Sequence, residues 1–142
     1  MLPTLAAVVA LIAGPSPHVV CDTPPGLEAG NTSTDFATVT ISPEWCYAWQ
    51  RVRKPSDLAG AGIALLVAVH EAEHVRYRDG GEAVTECRAL RDLPAVIADA
   101  VRSPLRYGHG KTWTVSRERA AMWDAARAFD SELSPTYQGA TC

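Results

Sequence analysis

No run of lysine or arginine occurs in the 142 residues, and the formal net charge is −3. A surface that neutralises a line of phosphates is therefore missing, and nucleic acid is not an expected partner. The densest basic cluster, Arg51, Arg53 and Lys54, reads as a solvated helix end. There is no CxxC pair, which excludes a zinc knuckle or a thioredoxin-like site. The chain also lacks a Ser/His/Asp order, a phosphate-binding loop, a dinucleotide glycine pattern and any internal repeat. The wholly apolar run Leu5 to Ala13 falls short of the roughly 20 residues that cross a bilayer, so no stable membrane span is expected.

What is present suits one soluble domain: 47% hydrophobic and 20% charged residues, enough to bury a core. The run from Leu5 to Ala13 ends at Gly14-Pro15-Ser16-Pro17 and matches the apolar region of a secretory signal peptide. Residues 1–20 are read as that peptide or as an N-terminal apolar segment inserted in the core. Residues 14–35, rich in Pro, Gly, Thr, Ser and Asn, read as linker, with 21–35 joining the terminus to a domain over 36–142. Four cysteines, Cys21, Cys46, Cys87 and Cys142, agree with export to an oxidising, extracytoplasmic compartment. The expected pairing is Cys46 with Cys87 and Cys21 with Cys142.

The segment Phe36 to Ser42 alternates and is β-branched, the best strand signal in the chain. Glu44 to Val52 suits a short helix, with Trp45 and Trp49 as core residues. Ser56 reads as a cap for a long helix, apolar on nearly all sides from Leu58 to Val69 and continuing to about Arg78. Asp79-Gly80-Gly81 stops it. A second helix runs from Glu82 to Leu93, breaks or kinks at Pro94 and continues to Val101; a last one starts at Ser116 and carries Trp123.

The chemistry concentrates in His70-Glu71-Ala72-Glu73-His74. Four residues apart on a helix, His70 and His74 share a face and can reach one metal ion, expected to be Zn2+. Glu71 projects about 100° round the helix, beside that ion, where it can take a proton from a zinc-bound water.

The region from residue 36 to residue 93 resembles the zincin metallopeptidases, particularly the gluzincins, whose third ligand is a glutamate on the next helix. Glu73 departs from the stringent peptidase pattern by being charged, and Arg76 by not being apolar. If Gly80 centres a helical hairpin, Glu86 faces His74 and is the third ligand. Glu82 is the alternative, since Glu82 and Glu86 also match the spacing of thermolysin-like enzymes, where the first acid binds zinc and the second orients a histidine. His109 in its glycine loop is a possible oxyanion stabiliser, as are Tyr107 and Tyr137.

The expected fold is thus α+β and mostly helical: a zincin-like active-site helix and helical hairpin with a short strand. The expected activity is zinc-dependent hydrolysis of a peptide or protein substrate by an exported protein. The alternative is a non-catalytic extracellular binding domain stabilised by metal and disulfides.

Overall fold

The computed structural model describes residues 2–26, 28–108 and 113–133. It is a mostly helical α+β fold built round one buried helix. In chain order the elements are α1 (Leu5–Ala13), β1 (His18–Cys21), β2 (Gly30–Thr32), β3 (Thr38–Ile41) and α2 (Pro43–Gln50). A single 3-10 turn (Pro55–Asp57) then leads into α3 (Leu58–Arg76), α4 (Glu82–Ala100) and α5 (Val115–Glu132).

Helix α3 has apolar residues on every side, so each face must be covered by something. It is long and apolar enough to cross a membrane by composition, but α1, α2, α4, α5 and the sheet enclose most of it. Its small residues set how closely they approach. A Cβ on Gly62 would lie 2.2 Å from the carbonyl oxygen of Met122 in α5, so any larger residue forces the two helices apart.

The N-terminal apolar run is core-inserted. In α1, Leu5, Val8 and Val9 are buried against the rest of the core, and the Trp49 indole donates to the Pro3 carbonyl at 2.7 Å.

The segment expected to be linker carries two strands, which is a correction. β1 pairs parallel to β3 (Val19 with Val39) and β2 pairs antiparallel to it (Asn31 with Thr40), in the order β1-β3-β2. Neither strand has the length or alternation to be recognised locally; both exist because β3, whose Val39 and Ile41 are fully buried, offers two edges. The predicted strand at Phe36 to Ser42 is therefore the central one, bounded by Phe36 in a left-handed turn (φ 58°).

The disulfide pairing differs as well. Cys21 at the end of β1 is bonded to Cys46 in α2, tying the sheet to the helix that follows it. Cys46 is thus not available to Cys87, which is itself disulfide-bonded. Cys142 lies outside the described residues.

Helix α4 runs unbroken through Pro94. The missing N–H forfeits one ladder bond, yet Leu93, Val96 and Ile97 stay buried and hold the helix against the core. Its C-terminus is capped from α5: Arg119 donates to the carbonyls of Ala98 and Val101, both at 2.9 Å.

Candidate metal centre

The long helix ends two residues earlier than its pattern suggests, at Arg76, and α4 starts at Glu82. The side chains that meet across the hairpin, His74 with Glu82 and His70 with Glu86, are symmetric about residue 78 and not about Gly80.

Three donor atoms converge there. His70 Nε2 lies 3.1 Å from His74 Nε2 and 2.9 Å from Glu82 Oε2, and His74 Nε2 lies 3.2 Å from the same oxygen. Tetrahedral coordination with bonds of about 2.0–2.1 Å separates ligand atoms by roughly 3.3 Å, so a triangle of this size fits a small divalent ion after a slight opening. Two imidazoles and one carboxylate are also the donor set that such ions take. His70, His74 and Glu82 can therefore hold a metal ion.

Glu86, the expected third ligand, is placed one shell further out. Its Oε2 meets Nδ1 of His70 at 2.5 Å, with the glutamate almost fully buried. A carboxylate in that position holds the ring and directs Nε2 toward the ion. Thr85 Oγ1 stands 3.5 Å from Nδ1 of His74.

The charges of the site are strongly coupled. Burial opposes a charge on His70, but its hydrogen bonds to Glu82 and Glu86, with the negative charges of Glu71 and Glu86, outweigh it and push its pKa up to about 10. His74 moves the other way, lowered by burial and then by the neighbouring His70. Glu82 is lowered by its bond to His70, and Glu86 is raised, chiefly by burial.

Glu71 occupies the wall of a cavity of about 540 Å³, to which both histidines and Glu82 also contribute. Burial pushes its pKa up to about 7. Its Oε2 accepts a hydrogen bond from Thr32 Oγ1 at 2.7 Å. Thr32 belongs to β2, the strand hidden in the expected linker, and sequence reasoning missed it. A contact across 39 residues leaves no local signature.

The other sequence candidates fare differently. The Tyr107 hydroxyl donates to the buried Glu118 at 2.8 Å, and that carboxylate also accepts from Leu105 N at 3.0 Å. Tyr107 thus fastens a loop to α5 and does not line the cavity. His109 and Tyr137 lie outside the described residues. Trp49 is a core residue as expected, and Trp45 packs edge-on against Phe129 at 5.7 Å.

Glu73, the charged residue inside the motif, points away from the cavity. It is fully buried, with the Asp92 carboxyl beside it and Arg76 Nη1 4.0 Å away. Burial, followed by the nearby Asp92, raises its pKa to about 7.

No family model, curated protein or solved structure matches the chain in comparison with known proteins.

Proposed function

We propose that this protein is an exported zinc-dependent hydrolase of the gluzincin type, acting on peptide bonds. The observation that carries the reading is the convergence of His70, His74 and Glu82 beside a separate buried carboxylate, Glu71, in one cavity. When bound, zinc supplies a Lewis acid and lowers the pKa of a coordinated water to about 7. Glu71 takes the proton of the attacking water and returns it to the leaving amine, a role suited to a carboxyl whose pKa is about 7. Glu86 keeps the His70 ring in register throughout, and its burial excludes water from that side of the ring.

The cavity also suits an extended peptide. Bonds from Ser42 N to the Ala29 carbonyl and from Ser33 N to the Thr38 carbonyl, both 2.9 Å, flank the β2–β3 pairing. By antiparallel alternation, the N–H and C=O groups of Gly30 and Thr32 then face the open edge of β2. An edge strand beside the metal ligands can align a substrate main chain. The strand that the sequence signals most clearly, Phe36 to Ser42, is internal to the sheet, so the edge beside the site is that of β2. Leu66, Val67, Phe129 and Leu133 supply the apolar part of the cavity, favouring a substrate with an apolar side chain near the scissile bond. The Cys21–Cys46 disulfide fits an oxidising, extracytoplasmic environment.

The test is Glu71→Gln. Wild-type protein should carry about one zinc per chain and cleave an unstructured peptide substrate, with activity lost on chelation. The variant should retain its zinc while losing about 10² to 10⁴ in rate. Stoichiometric zinc without cleavage across a broad peptide library would remove the enzymatic reading and leave the metal as a staple between α3 and α4.

A further inference from the structure

Strand β2 is only three residues long, and one of them is a glycine, the residue least suited to a strand interior. Glycine there often marks the close approach of another group, and the structure identifies that group. A Cβ on Gly30 would fall 2.8 Å from Cγ and 2.9 Å from Oε1 of Glu71, and 3.0 Å from Cγ1 of Val67. Two residues on, along the same face of the strand, Thr32 Oγ1 meets Glu71 Oε2 at 2.7 Å and the Glu71 carbonyl at 3.1 Å.

We infer that Gly30 and Thr32 form a clamp that positions the Glu71 carboxylate, Gly30 by leaving the space it occupies and Thr32 by fixing one of its oxygens. With Oε2 accepting from Thr32, Oε1 is the oxygen left to take a proton from water. The clamp also accounts for the position of β2. The strand is held at its sheet edge by β3 and on its face by the helix that carries the base. Thr32 is a positioning residue here, acting through Glu71. The inference rests on the reading of Glu71 as the base only for its consequence in rate; the clamp itself is a contact that can be measured in stability.

Thr32→Val keeps the shape of the side chain and removes its hydroxyl, while Thr32→Ser keeps the hydroxyl. In chemical unfolding of the full chain, Thr32→Val should lower the midpoint clearly, and Thr32→Ser much less. In a Glu71→Ala background the effect of Thr32→Val should shrink to the share of the hydroxyl's remaining bond to the main-chain carbonyl of residue 71, because the bond to the carboxylate is already lost. An equal loss in both backgrounds would overturn the clamp. In peptide cleavage, Thr32→Val and Gly30→Ala should keep full zinc content and lower kcat by about tenfold to a hundredfold with KM little changed, the scale expected of a misplaced catalytic group. Thr32→Ser should recover most of that loss. Wild-type rates in both Thr32→Val and Gly30→Ala would also overturn the clamp. Coupling in unfolding, without cleavage by any form, would instead sustain the clamp and remove the peptidase reading.

Discussion

Glu86 meets Nδ1 of His70 at 2.5 Å, on the edge of the ring away from the nitrogen that approaches His74 and Glu82. Two glutamates one helical turn apart on α4 thus do different work on the same imidazole: Glu82 meets its Nε2 edge and Glu86 holds its Nδ1 edge. The division predicts unequal losses of metal affinity. His70→Ala, His74→Ala and Glu82→Ala should each abolish stoichiometric zinc, whereas Glu86→Ala should weaken binding about 10- to 100-fold. Zinc titration against a competing chelator measures this directly. Full occupancy in Glu82→Ala, with loss in Glu86→Ala, would restore Glu86 as the ligand.

The metal-free protein should become less stable as pH rises from about 5 to about 9. Glu71 and Glu73 are raised from 4.5 to about 7, and His70 from 6.5 to about 10. A group whose pKa is raised by folding stabilises fully below its unfolded value, and that contribution is lost as pH climbs through the folded one. The two carboxyls therefore lose theirs between pH 4.5 and 7, and His70 between 6.5 and 10. His74, lowered by folding, opposes the trend below its ordinary pKa. Urea midpoints of chelated protein at three pH values check the sign; a midpoint that rises toward alkaline pH would contradict it.

Glu73→Gln isolates one part of that slope. The buried carboxyl lies beside Asp92, so its ionisation is a cost, of desolvation and then of repulsion, that the amide avoids. The variant should be more stable than wild type above pH 7, with the difference shrinking toward pH 5, where Glu73 is already neutral. Its zinc content should not change, since Glu73 does not line the cavity.

Non-reducing peptide mapping should recover Cys21 linked to Cys46 and no peptide joining Cys46 to Cys87. The bridge spans 25 residues and encloses β2 and the Gly30–Thr32 clamp. Restriction of the unfolded chain by a loop of that size is worth about 3 kcal/mol. Replacing both cysteines by alanine should lower the unfolding free energy by about that amount.

Gly62→Ala should destabilise the fold or displace α5, because its Cβ would stand 2.2 Å from backbone in that helix. A backbone atom cannot rotate aside as a side-chain tip can. Thermal unfolding measures the loss, and a variant as stable as wild type would refute the close crossing.

The two histidines of the candidate metal centre and Glu71 beside them were legible in the chain because their relation is local. Any helix through residues 70–74 puts His70 and His74 on one face and Glu71 beside them, whatever surrounds it. The apolar run before them likewise announced a helix that must be enclosed. Which glutamate joins the two histidines was not legible. Glu82 and Glu86 lie on one face of α4, and the choice between them turned on how the two helices pair across the hairpin, about residue 78 and not about Gly80. The strands inside the linker, the clamp on Glu71 and the partner of Cys46 are further from local rules still. Each joins residues distant in sequence, and each forms only after α3 has been packed on all sides. Helical spacing is set by backbone geometry within a few residues, but partners across a fold are chosen by which surfaces the whole core leaves in contact.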